Sequence, residues 1–215
     1  TWSGQSRAPL NQLPVYPRPV QHPLPVWIAV GGNPPSVVRA ATLGLPMALA
    51  IIGGEPERFA PFVQLYRDTA LRVGRNPDAL PVSINSHGYI ALNSQDAANE
   101  YFPAYADVFG RIGRERGWPP PTRAQYEAAR TPSGALFVGS PQEIVDKILF
   151  QHSIFGHQRF LMQLGMGTMT HAQTMRSIEL FGSHVAPAVR KSLAASYSGH
   201  ARTPAHFDQH TSAGP

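Results

Sequence analysis

The chain contains no cysteine. Disulfides, thiolate nucleophiles and cysteine-ligated metal or iron–sulfur centres are therefore excluded. Charge is scarce as well: charged residues make up 14% of the 215 positions, and the net charge is +5. The basic residues are dispersed, and the densest group is Arg111, Arg114 and Arg116 with Glu115 among them. A nucleic-acid groove needs a basic stripe interleaved with aromatics, so no nucleic-acid partner is expected. Long apolar runs are missing too. The longest, LPMALAII at 45–52, is far too short to span a bilayer, and no membrane association is expected. The opening TWSGQSRAPLNQ is neither a signal peptide nor a transit peptide, and a cytoplasmic setting is expected. It also lacks an initiating Met and reads as loop, which predicts a chain that begins upstream of Thr1. Finally, no Ser/His/Asp set, carboxylate pair or nucleophile elbow occurs.

Proline and glycine, in contrast, are plentiful and punctuate the chain. Residues 1–25 are rich in Pro and polar side chains and read as an extended lead-in. Strands are predicted over 26–30, 46–52, 81–92 and 160–164, with a further short apolar run at 135–138. Helices are predicted over 35–43, 56–73, roughly 95–109 after a capping Asn93, and 171–191. Ser140-Pro141-Gln142-Glu143 is a helix start of another kind. It has an N-cap Ser, Pro at the first helical position and Glu three residues after the cap. Its inner face is Ile144, Val145, Ile148 and Leu149. Residues 110–133, with Trp118 and three consecutive prolines, read as an irregular insertion. The segment 192–215 reads as a disordered tail. Strands alternating with helices predict an α/β fold with a parallel sheet. Periodicity leaves open whether that sheet is open or belongs to a barrel.

The most informative stretch is VWIAVGGNPPSVVRAATLGLPM at 26–47. A strand ends at Val30, Gly31 and Gly32 make a turn, and a helix starts within a few residues. Such a turn presents unpaired N–H groups at a helix N-terminus, where a phosphate can bind. Pro34 and Pro35 remove two donors, which leaves the N–H groups of Gly32, Asn33 and Ser36. The same turn fits an ordinary capped βα connection without a ligand. It is not a Walker A loop, since no Gly-Lys-Ser/Thr follows. Arg39 reads as a surface charge just inside that helix. His87, in the middle of SINSHGYIA, is a candidate acid, base or hydrogen-bond donor at the sheet's mouth, or else a structural histidine. Gly165-Met166-Gly167 after the last strand reads equally as a simple loop or a cofactor contact. His152 and His157 are not spaced for one helix face, and no metal site is expected.

Three blocks resemble the bacterial-luciferase-like monooxygenase family, (β/α)8 barrel enzymes that use FMN or the deazaflavin F420. They are PRPVQHPLPVWIAVGGNPPSVVRAATLGLPM, ALFVGSPQEIVDKI and RFLMQLGMGTMTHAQTMRSIELFGSHVAPAVRK, in that order, within 17–191. The resemblance implies a TIM-barrel type α/β fold of which residues 1–191 hold only strands five to eight. It places Asn33 and Ser36 where the family contacts the flavin phosphate, so the implied cofactor-binding set is Val30, Gly31, Gly32, Asn33 and Ser36. It further implies a flavin-dependent oxidoreductase or monooxygenase with reduced FMN, or F420 as the alternative, acting on a small organic substrate. A non-catalytic barrel subunit is a further alternative. The implied partners are flavin delivered by a separate reductase, and either a second copy or the missing half of the barrel. A half barrel has open edges and an uncovered interior, so association is expected.

Overall fold

The computed structural model describes residues 1–200, with the backbone alone for 196–200. Five strands form one sheet: β1 Ile28–Val30, β2 Met47–Ala50, β3 Val82–Ile90, β4 Phe137–Gly139 and β5 Arg159–Gln163. Every pairing is parallel. β3 is the hub. β2 pairs with Val82–Asn85 of it, β5 with Ser83–His87 and β4 with Gly88–Ile90. The helices are α1 Pro34–Leu43, α2 Ala60–Arg72, α3 Ser94–Arg116, α4 Arg123–Arg130, α5 Pro141–Phe155, α6 His171–Leu180 and α7 Ala186–His200. A π turn, Phe181–Val185, joins the last two. The expected α/β class with a parallel sheet is what the chain adopts.

Local chemistry accounts for most element boundaries. α5 begins with a full capping box: the Ser140 hydroxyl accepts from the Glu143 N–H, and the Glu143 carboxylate accepts from the Ser140 N–H at 2.7 Å. Gly156 ends it at φ 58°. α1 carries Pro34 and Pro35 in its first turn and ends at Gly44, φ 70°.

Three expectations need correction. The insertion expected at 110–133 is largely helical: α3 continues to Arg116, and α4 is a separate helix. α3 passes through Gly110 and Gly113, both buried. A Cβ on Gly113 would lie 2.8 Å from the Trp118 carbonyl oxygen, so glycine there permits close packing and does not break the helix. The apolar run at 135–138 leads into a fifth strand, Phe137–Gly139, which pairs with β3. The tail expected from 192 onward opens in helix, since α7 runs to His200. Residues 201–215, with His206, Asp208 and His210, lie outside the described residues.

Two layers of packing set up the site. Val30, Met47, Leu49, Val82 and Ile84 are buried against Val37, Ala40, Ala41, Val63 and Tyr66 of α1 and α2. Higher on the sheet, Tyr89, Leu136 and Val138 pack with Ala97, Ala98 and Tyr101 of α3, Tyr126 of α4 and Met166. Side chains alternate along a strand, so Ala29, Ala48, Ala50, Ser83, Asn85, His87, Leu161 and Gln163 fall on the face away from α1 and α2.

Candidate functional site

The pairing register orders that opposite face into rows. Ala29, Ala48, Ser83 and Arg159 form one row. Ala50, Asn85 and Leu161 form the next, and His87 opposite Gln163 the one above. The face is small and polar where the helix side is large and apolar. At its base the Arg159 guanidinium lies over the Trp27 ring, 5.4 Å from the centroid. In the row between, Ser83 is buried and its hydroxyl has no partner, while Ala48 is half-buried. Further up the face is open: Leu161 is 41% exposed and Ile52 52%.

The C-terminal ends of the strands carry the turns where ligands bind in parallel α/β sheets. After β1, Gly31 has no atom within 4 Å of the position a Cβ would take, and Gly32 sits at φ 95°. Asn33 is the N-cap of α1 but makes no side-chain capping bond, so its amide is not committed to the helix. The Ser36 N–H donates back to the Asn33 carbonyl at 3.1 Å, and the Val37 N–H does the same at 3.4 Å. This corrects the expected donor set. With two prolines already removing donors, the third N–H is spent inside the turn, and the backbone offers only Gly32 and Asn33. Side chains fill part of the gap: Arg39 reaches back one turn and its Nη2 donates to the Ser36 hydroxyl at 3.1 Å. Val30, grouped with these residues on sequence grounds, is buried on the helix side. Only its backbone is near the turn.

His87 lies on the opposite face, half-buried, with its Nδ1 buried and unpartnered. Its ring meets Phe109 of α3 edge-on, 6.0 Å between centroids. Burial holds its pKa below the usual histidine value, so the neutral ring is favoured at neutral pH. β2 separates it from β1 and the glycine turn. The loop after β5 does not stand free: Met166 is buried with Tyr89 and Tyr101, and Gly167, at φ 50°, abuts Val108 and Ala104 of α3.

The sequence reading missed two clefts at this end of the sheet. One, of about 440 Å³, lies between the Gly53-Gly54-Glu55 turn after β2, Tyr105 of α3 and Thr131 with Ser133. Its wall is held from behind by Lys147, whose Nζ donates to the Thr131 and Leu136 carbonyls at 2.7 and 2.6 Å. The signal was legible, since Lys147 interrupts the apolar face Ile144, Val145, Ile148. The other cleft, of about 500 Å³, lies between α3 and α6 beside Asp96, Glu100, Arg176 and Glu179. There the Tyr89 hydroxyl donates to Glu100 at 2.5 Å and Arg176 pairs with the same carboxylate at 2.8 Å. Burial, with Glu100 adding to it, pushes the Tyr89 hydroxyl up to about 12. This cluster fastens β3, α3 and α6 together and was not visible as a motif, because its members are far apart in the chain.

His152 and His157 do approach, with ring centroids 5.4 Å apart, at the end of α5. Among the described residues no group of three or more His, Cys, Asp or Glu could hold a metal ion. Among them, too, no helix is long and apolar enough to cross a membrane.

Comparison with known proteins adds to this geometry. Residues 1–158 match the family model described as luciferase-like monooxygenase. No curated protein matches the sequence. Among solved structures the chain resembles the monooxygenase RslO1 from Streptomyces bottropensis at 24% identity and TM-score 0.62, covering 80% of this chain and 50% of that one. It also resembles the oxygenating constituent of 3,6-diketocamphane monooxygenase from Pseudomonas putida, solved with FMN, at 17% identity and TM-score 0.55, covering 76% and 48%. A third likeness is the coenzyme F420-dependent tetrahydromethanopterin reductase from Methanopyrus kandleri, at 16% identity and TM-score 0.52, covering 76% and 50%. These likenesses establish the fold, and the chain spans about half the length of the structures it matches.

Proposed function

The chain belongs to the luciferase-like monooxygenase family, and from that premise we propose that it is part of a flavin-dependent oxidoreductase or monooxygenase acting on a small organic substrate with reduced FMN. In this reading β1, β2, β3 and β5 are strands five to eight of an eight-stranded barrel. The observation that carries it is the turn after β1. It stands at the C-terminal end of a parallel sheet, with open space at Gly31, a glycine-only backbone at Gly32, an uncommitted Asn33 amide and the Ser36 hydroxyl held beside Arg39.

The residues fit the phosphate end of such a cofactor, with a different balance from a donor-rich loop. Two backbone N–H groups and three side chains, Asn33, Ser36 and Arg39, would hold it. When bound, reduced FMN supplies the electrons with which one atom of O2 enters the substrate. The protein's part is to position and to exclude water. We assign His87 to hydrogen-bond the reacting partners from the face of the sheet away from α1 and α2. Its neutral ring has a buried nitrogen without a partner, and Asn85 and Gln163 share its face. A cytoplasmic setting belongs to the same reading.

Titrating FMN into the protein while following flavin fluorescence tests it. Quenching that Ser36→Ala and Arg39→Ala both weaken supports the proposal. No binding of either FMN or F420 overturns it, and tighter binding of F420 moves the protein to the deazaflavin branch.

A further inference from the structure

We infer that the cleft at the end of β2 is a substrate slot, and that it takes a neutral, planar aromatic molecule bearing a hydroxyl or carbonyl group. That the occupant is a substrate rests on the flavin-enzyme reading above. The shape and chemistry of the slot stand apart from it, and its lining comes from within 52–136.

The walls of the cleft differ in kind. One is the backbone of Gly53 and Gly54. Neither has an atom within 4 Å of the position a Cβ would take, and Gly53 does not hold a left-handed conformation. Nothing in the fold therefore requires glycine at 53, and its missing side chain leaves that wall open and flat. The turn itself is fixed, because the Ser86 hydroxyl donates to the Ile51 carbonyl at 2.9 Å just before it. Another wall is the ring of Tyr105 beside Ala128 and Ala129. Phe109 and Tyr126 brace that ring, at 4.6 and 5.2 Å between centroids. The stretch from Thr131 to Leu136 is fixed as well. Lys147 holds its carbonyls, and a Cβ on Gly134 would run into the Ala129 carbonyl. Bare glycine backbone, a braced ring and small alanines suit a flat aromatic ligand.

The polar groups are few. The Tyr105 hydroxyl has no hydrogen-bond partner among the described residues, and burial raises its pKa, so it remains a donor at neutral pH. The Thr131 hydroxyl is spent on the Ala128 carbonyl at 2.7 Å, which leaves the Ser133 hydroxyl for a ligand. Among the described residues that line the cleft, Glu55 alone is charged. Its carboxylate accepts from a ligand hydroxyl and repels a ligand carboxylate or phosphate, so the occupant is neutral. Tyr105 also links the cleft to the site. Its ring meets Phe109, and Phe109 meets His87 edge-on at 6.0 Å.

Titration of naphthol into the flavin-free protein, followed by naphthol fluorescence, tests the inference. Naphthoate is the charged comparison and decanal the aliphatic one. Saturable naphthol binding that neither displaces is expected. Gly53→Val fills the open wall without backbone strain and should weaken naphthol roughly tenfold, with the thermal midpoint and FMN affinity unchanged. Tyr105→Phe keeps the ring, loses the donor and should weaken naphthol several-fold. No saturable naphthol binding, binding that both folded variants leave intact, or displacement by naphthoate, decanal or FMN overturns the inference. A protein that binds naphthol in this way but neither FMN nor F420 keeps the slot and loses the flavin reading.

Discussion

The Arg159 guanidinium over the Trp27 indole ties β5 to β1, because Trp27 leads into β1 and Arg159 opens β5. The contact lies on the face away from α1 and α2, at the row that holds Ala29, Ala48, Ser83 and Arg159 itself. Removing either partner is expected to cost about 1 kcal/mol in urea unfolding, as for a partly exposed cation–π pair. The double variant Trp27→Ala/Arg159→Ala should cost less than the two single changes together. Strict additivity would mean that the two side chains act independently.

The two glycines of the β1 turn separate folding from binding. Gly32 sits at φ 95°, where a Cβ is strained, although its nearest neighbour would be Phe62 at 4.0 Å. Gly32→Ala should therefore destabilise by about 1 kcal/mol through backbone strain and not through a clash. Gly31 has open space and no such conformation. Gly31→Ala should leave the thermal midpoint unchanged while weakening FMN binding several-fold, since the new methyl stands where the ligand approaches. Unchanged FMN affinity in the Gly31 variant would remove the turn from the site.

His157 makes stability depend on acidity. It is 5% exposed, its Nδ1 has no partner, and burial followed by the nearby His152 pulls its pKa down to about 4. The folded protein keeps the ring neutral, while the unfolded chain takes up a proton near the ordinary value of about 6.5. Its contribution is thus complete above about pH 6.5 and is lost as pH falls toward 4, by up to about 3 kcal/mol. Urea titrations at pH 7 and pH 4.5 check this. His157→Phe should flatten the difference, and an equally steep loss in that variant would assign it to other groups.

Lys147 is 4% exposed and holds the carbonyls of Thr131 and Leu136, which belong to the wall of the cleft at the end of β2. Lys147→Met keeps an apolar stem but removes the ammonium, which lies 5.1 Å from the Phe137 ring centroid, and leaves those oxygens unpaired. A loss of about 2 kcal/mol is expected. Limited proteolysis should then cut first between α4 and β4. A variant as stable and as protease-resistant as wild type would show that the wall holds without the amine.

Capping chemistry was the part of the fold most open to reading. Ser140 and Glu143 mark the start of α5 because the signal is local: both partners lie within one turn. Thr122 and Gln125 form the same box at the start of α4, yet the prolines before them made the region look irregular. β4 could not be read at all as a strand of defined length. Three residues carry no period, and they are a strand only because Gly88, Tyr89 and Ile90 lie beside them.

The site divides along the same line. The sequence by itself determined the glycine turn, the placing of His87 in a strand and the family, since each rests on neighbours in the chain or on the order of motifs. It also determined what chemistry is excluded, through the missing cysteines. Only the tertiary structure decided that the Ser36 N–H is spent on Asn33, that Arg39 turns toward Ser36, and that Val30 faces the helices. It alone joined Tyr89, Glu100 and Arg176. The reason is physical. A turn or a cap is set by bonds within a few residues, whereas long-range hydrogen-bond partners and burial are fixed only when distant segments pack.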